Sequence, residues 1–207
     1  MYMTRVLLNR VPPPNIIHGV LSAAFPGERS ERVNENIWRV DKAGDESALL
    51  IVSTQIPERG KIVSEIGAVK AKLSSRSSEE DICKTLKYDP FLEKVEDGQA
   101  WSFRLCANPI ENKRVPGTRG KVFALRTVEE QLEWIGKQGE KHGFRVISCR
   151  VVGDNWKIFS NVKIRVVTFE GMLLVSSSED FRIALSQGIG RGKAYGCGLL
   201  TIARAYT

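Results

Sequence analysis

Near the C-terminus, the run Gly188-Ile-Gly-Arg-Gly-Lys-Ala-Tyr-Gly-Cys-Gly198 gathers five glycines, Gly188, Gly190, Gly192, Gly196 and Gly198, around Arg191, Lys193 and Tyr195. Glycine tolerates positive φ and has no Cβ, so such a loop can lay its N–H groups against a ligand. The two cations make that ligand anionic. Two familiar phosphate loops do not fit. A P-loop lysine is followed by Ser or Thr, but Ala194 follows Lys193, and Gln187 occupies the place of the motif's first glycine. A dinucleotide loop runs from strand into helix, whereas this one follows a helical stretch, Glu179 to Gln187, and leads into the strand-like Leu199 to Ala203. A helix C-cap with a tight turn would account for one of the five glycines and not for the two cations.

A second concentration of cations runs through Arg104, Lys113, Arg114, Arg119, Lys121 and Arg126, with Glu111 the one acid among them. It is separated along the chain from an acidic stretch between Glu79 and Asp97, which implies an oriented electrostatic surface. The net charge of +7 and the isoelectric point of about 9.3 point the same way, towards a polyanionic partner. The connection from Lys113 to Lys121 can lie along a nucleic-acid duplex groove as a hairpin. A solvated surface loop explains its charge equally well.

Metal chemistry has poor prospects. Cys83, Cys106, Cys149 and Cys197 form no Cys-x-x-Cys pair, and His18 and His142 are the only histidines. No metal and no cofactor are therefore expected, and the cysteines read as free thiols. No apolar run approaches the roughly 20 residues of a membrane span and no secretory signal is legible, so a cytoplasmic protein without membrane contact is expected.

The elements that must position these residues follow from periodicity. In 207 residues, 42% hydrophobic and 27% charged, there is length for one large domain or two small ones. Tyr2 to Asn9 reads as a strand, stopped by Pro12-Pro13-Pro14. Asn15 is then the expected N-cap of a helix from Ile16 to Phe25, whose core face is Ile16, Val20 and Ala24 with Ile17 and Leu21 beside them. His18 falls on the opposite side with Asn15, Gly19 and Ser22, on a polar edge with room for a substrate. Strands are expected at 36–41 and 48–54, a helix at 62–73, little that is legible between 55 and 97, and a strand at 101–106. The second half offers a strand at 122–125 and a helix opened by the capping-box pair Thr127 and Glu130, with Val128, Leu132 and Ile135 on its apolar side, ending near His142-Gly143. Strands at 144–152 and 162–169, the latter continuing through 172–175, a helix from Glu179, the glycine loop and a last strand complete the chain. Two strand-helix-strand-strand-helix-strand series give an α+β protein of two tandem ferredoxin-like, or RRM-like, modules: 1–110, carrying His18, and 111–207, carrying the basic hairpin and the glycine loop. The aromatic single-strand platform of that fold is not legible in Lys163-Ile-Arg-Val-Val-Thr-Phe169.

Several stretches resemble CasE, the CRISPR RNA-processing endoribonuclease family of type I-E systems. They are the opening Met-Tyr with its Val-Leu-Leu strand, His18 on the first helix, Phe103-Arg-Leu-Cys-Ala-Asn-Pro-Ile110, Thr168-Phe-Glu-Gly171 and, most specifically, Gln187 through Leu200. The resemblance implies a metal-independent nuclease that binds the stem-loop of a CRISPR repeat transcript and cuts at the 3′ base of the stem. Attack by a 2′-hydroxyl would leave a 2′,3′-cyclic phosphate and a 5′-hydroxyl. The product would stay bound within a Cascade effector complex of several subunits. The position of the family's catalytic histidine falls on His18, and Asn15 stands where family members carry a tyrosine. An imidazole with a reference pKa of about 6.5 can remove or deliver the required protons near neutrality. His142, at a helix C-terminus, is explained by the dipole there. Two other readings compete: a non-catalytic RNA-binding subunit of the same fold, and an enzyme acting on a small phosphorylated ligand through the glycine loop.

Overall fold

The computed structural model describes residues 1–25, 36–43, 46–67, 79–113, 121–159 and 162–204. In order these form β1 (Tyr2–Leu8), α1 (Pro14–Ala24), β2 (Asn36–Ala43), β3 (Glu46–Ser53), α2 (Arg59–Glu65), α3 (Glu79–Ile82), β4 (Cys83–Lys87), α4 (Asp89–Leu92), β5 (Ala100–Ala107), β6 (Ile110–Lys113), β7 (Lys121–Ala124), α5 (Val128–Lys141), β8 (Phe144–Phe159), β9 (Val162–Val175), α6 (Ser178–Gln187), a 3-10 turn (Lys193–Tyr195) and β10 (Leu200–Arg204).

Two four-stranded antiparallel sheets result, ordered β2-β3-β1-β4 and β10-β5-β9-β8. In each, the strand that opens the module pairs with the third and fourth strands, and the second lies at the far edge. That is the ferredoxin-like arrangement, occurring twice as expected. Residues 1–93 with 193–196 make one compact unit, and 94–192 with 197–207 the other.

The division differs from the expected one at residue 110. β5 belongs to the second sheet, where it pairs with β9 and β10, and is not the last strand of the first module. That place is taken by β4, whose sequence Cys-Lys-Thr-Leu-Lys shows no sustained alternation and has only Cys83 buried. The expected strand at 122–125 is one arm of the β6–β7 hairpin, which forms a separate two-stranded ladder. One strand overlooked and another credited to the wrong module leave the element order unchanged, which is why the plan was legible although the boundary was not. The helix expected at 62–73 is described only as α2, ending at Glu65, and 68–78 lie outside the described residues.

The first unit's core gathers Val6, Leu8, Ile17, Leu21, Trp38, Leu49, Ile51 and Ile62 between α1, α2 and their sheet. Two helix starts show different physics. α1 begins on Pro14 after Pro13, with no side-chain cap, because proline has no N–H to satisfy and its φ is already helical. Asn15 is thus inside the first turn and is not the cap. The buried stripe is accordingly Ile17, Leu21 and Ala24, while Ile16 is 47% exposed. α5 begins with the capping box that its sequence announces: Thr127 accepts from the Glu130 N–H, and the Glu130 carboxylate accepts from the Thr127 N–H. Its buried side is Gln131, Trp134, Ile135 and Gly139, and the expected Val128 is exposed.

Candidate functional site

In the first unit, His18 sits in the second turn of α1, to one side of the buried stripe of Ile17, Leu21 and Ala24, and is exposed. Asn15, one turn before it, is exposed, and Gly19 beside it has open space where a Cβ would project. Ser22, one turn after it, donates its hydroxyl to the His18 carbonyl at 2.8 Å. The imidazole therefore projects from a packed helix onto a surface that the described residues leave open. The end of α1 is held by α2: the Glu58 N–H donates to the Ala24 carbonyl at 2.6 Å, and Lys61 Nζ to the Ala23 carbonyl at 3.3 Å.

The glycine-rich segment contributes to this unit through Lys193–Gly196, and its 3-10 turn packs against α1 and β2. Gly188, Gly190, Gly192, Gly196 and Gly198 all have positive φ, between 76° and 94°. At Gly196 two demands coincide, since φ is +80° and a Cβ would stand 2.6 Å from Trp38 Cζ3. Lys193 is half-buried and makes no ion pair among the described residues; burial holds its pKa below the ordinary lysine range. A partly desolvated ammonium with no carboxylate partner among the described residues can accept an anion. Tyr195 is half-buried in the same turn.

In the second unit, Arg191 is exposed and bridges to Asn108, Gly190 lies against the Trp134 ring, and Gly192 packs beside Cys197. Gly188 caps α6, its N–H donating to the Ala184 carbonyl at 2.8 Å. The cationic residues named from sequence are divided among different elements. Lys121 is exposed on β7, and Lys113 ends β6, with Arg114 and Arg119 outside the described residues. Arg126 is exposed just before α5, and its carbonyl accepts from Arg165. Arg104 belongs with neither: it lies on the open face of the second sheet, engaged with Glu170 at 2.7 Å.

A further basic element escaped the sequence reading. The pairing of β8 and β9 continues past the end of β5, so residues 155–159 and 162–166 form a two-stranded arm. Trp156, 43% exposed, lies on it beneath Lys163 Nζ, 4.8 Å from the ring centroid, and beside Arg165. Its signal in the sequence is the interleaving of Trp156 with Lys157, Lys163 and Arg165 within ten residues. Among the described residues, no group of three or more His, Cys, Asp or Glu could hold a metal, and no helix is long and apolar enough to cross a membrane.

A family described as "CRISPR associated protein" matches residues 1–204. The CRISPR-associated endoribonuclease Cse3 of Thermus thermophilus is 27% identical, the alignment covering 98% of this chain and 100% of that one. The CRISPR system Cascade subunit CasE of Escherichia coli is 24% identical, over 98% and 99%. A structure of Thermus thermophilus Cse3 bound to an RNA representing a pre-cleavage complex superposes with a TM-score of 0.77 at 26% identity, covering 98% of each chain. With the match running from the first residue of β1 to the last of β10, the chain belongs to the CRISPR-associated family that includes CasE and Cse3.

Proposed function

We propose that this chain is an endoribonuclease that binds the stem-loop of CRISPR repeat RNA and cuts at the 3′ base of the stem without a metal. The observation that carries the reading is His18. It is a solvent-facing imidazole on the first helix of a chain that matches the family end to end, with the half-buried cation of Lys193 in a turn packed on that same helix.

The reaction is a transesterification. The 2′-hydroxyl oxygen attacks the adjacent phosphorus, the bond to the 5′-oxygen breaks, and a 2′,3′-cyclic phosphate and a 5′-hydroxyl result. One proton leaves the 2′-oxygen and one arrives on the departing 5′-oxygen. His18 acts on one of these transfers, a contribution of roughly a hundred- to ten-thousand-fold in rate. Lys193 stabilises the charge developing on the phosphorane, where anion binding also recovers solvation that burial took from the ammonium. Arg191, Lys113 and Lys121 of the β6–β7 ladder, Arg114 and Arg119 between them in sequence, Arg126, and the β8–β9 arm supply phosphate contacts along the duplex. The Escherichia coli relative is a Cascade subunit, and this chain is read likewise as keeping its product within such a complex.

The test is incubation of the purified protein with a labelled repeat hairpin in EDTA, followed by identification of the ends. Cyclic phosphate and 5′-hydroxyl ends are expected, and His18→Ala should lower the cleavage rate at least a hundred-fold with hairpin affinity nearly unchanged. Loss of activity in EDTA that magnesium restores, or undiminished cutting by the variant, would remove this mechanism. An RNA-binding subunit without catalysis would bind the hairpin and never cut it.

A further inference from the structure

We propose that the open face of the second sheet holds one unpaired guanine nucleotide of the bound RNA, an inference that rests on the RNA-binding function above. Strand register builds this face in rows. Thr201, Arg104, Glu170 and Arg150 stand directly opposite one another across β10, β5, β9 and β8. The next row is Ala203, Ser102, Met172 and Ser148. The alternate residues of β5, Trp101, Phe103 and Leu105, are buried on the other side, so both rows face away from the core.

The first row is a converging polar group. Arg104 Nη1 donates to Glu170 Oε1 at 2.7 Å, and Arg150 Nη2 donates to Oε2 at 3.2 Å. Each carboxylate oxygen thus has one guanidinium partner on this face and a second lone pair to offer. The second row has small side chains around Met172, and a concavity of about 590 Å³ opens over the two rows. Register shifts between Val146 and Ser148 and between Val151 and Gly153 flank Arg150 on the edge strand. Such bulges bend a strand and re-aim its side chains.

A carboxylate with a free lone pair on both oxygens matches two adjacent N–H donors. Guanine presents N1–H and N2–H side by side, whereas uracil has a single donor between acceptors and adenine and cytosine place an acceptor next to their amino group. Guanidinium groups beside the carboxylate match guanine O6 and N7, the commonest base contact of arginine. Met172 gives the ring a polarisable seat in place of the stacking aromatics that other modules of this fold use. As a surface ion pair alone, with Arg150 77% exposed, the row would contribute little stability.

The experiment measures binding of the full chain to the repeat hairpin and to three single-stranded pentamers, UUGUU, UUIUU and UUAUU, by fluorescence anisotropy. UUGUU should bind on the order of ten-fold more tightly than UUAUU, with the inosine pentamer, lacking the N2 amino group, in between. Glu170→Gln should erase the preference, and so should Ser102→Phe, which fills the concavity without altering charge. Equal affinity for the three pentamers, or a guanine preference that survives both substitutions, overturns the proposal. The inosine comparison needs no variant, so it decides even if a substituted chain fails to fold. Hairpin binding without pentamer discrimination defeats this inference alone and leaves the face to a protein subunit. Failure to bind the hairpin defeats the RNA-binding reading as well.

Discussion

A single position shows how tightly the glycine-rich loop is specified. Gly196 needs a backbone conformation that L side chains rarely adopt, and a Cβ there would meet the Trp38 ring at 2.6 Å. Gly196→Val therefore carries both a conformational cost and a clash with a core tryptophan. About 1–3 kcal/mol of lost stability is expected from the backbone alone. The measurement is a denaturant midpoint, read beside hairpin affinity: both should fall, because the Lys193 turn packs against α1 through this residue's neighbourhood. An unchanged midpoint would mean that the loop is free to move aside. The chemistry-bearing residue types were legible in sequence. What was not legible was their company. Arg104 read as one more cation in a basic zone, yet its guanidinium is engaged by Glu170, 66 residues away in the chain. Only the register of β5 against β9 brings the two together.

Among the elements, legibility followed the strength of local signals. α5 was readable to its cap because Thr127 and Glu130 announce it, whereas α1 misled because an asparagine after prolines looks like a cap and the prolines do the work instead. β4 carries no run of β-branched residues, so nothing in its sequence marks it as a strand. In the β8–β9 arm, β8 reaches seven residues past the strand expected at 144–152, because Gly153-Asp-Asn-Trp-Lys-Ile-Phe159 is exposed or half-buried throughout and opens on poor strand formers. The facing part of β9, with Ile164 and Val166 buried, is legible. Asp154 holds the base of that arm. It accepts from Arg165 Nε at 2.6 Å and from Gln131 Nε2 of α5 at 2.9 Å, and the Arg165 hydrogen bond, with help from Gln131, holds its pKa below the usual carboxylate range. A depressed carboxylate pKa contributes stability that is complete above the unfolded value of about 3.9 and is lost as pH falls through the folded one. The arm should therefore keep its amide protection from pH 7 down to about 4 and lose it below. Asp154→Asn should cost about 1–3 kcal/mol by leaving Arg165 without its carboxylate. Protection that fades near neutrality instead would point to a different titrating group.

For the molecule as a whole, a net charge of +7 says less than its distribution over separate structural elements: the β6–β7 hairpin, the β8–β9 arm and the glycine-rich segment. Each presents cations that can neutralise phosphates of one RNA, and every phosphate neutralised releases condensed counterions. If those elements share a duplex, log K for the repeat hairpin falls linearly with log salt, with a slope near 0.9 per phosphate contacted. Replacing Lys121 and Lys163 by Gln, one from each element, should lower the slope by about 2, and by about 1 for either change alone. The two residues are on different elements and share no partner among the described residues, so their effects should add. A small phosphorylated ligand held by the glycine loop alone would give a shallow slope that neither substitution moves. Titration of hairpin affinity from 50 to 200 mM salt on the four proteins separates the two, because it counts contacts without depending on whether the RNA is cut.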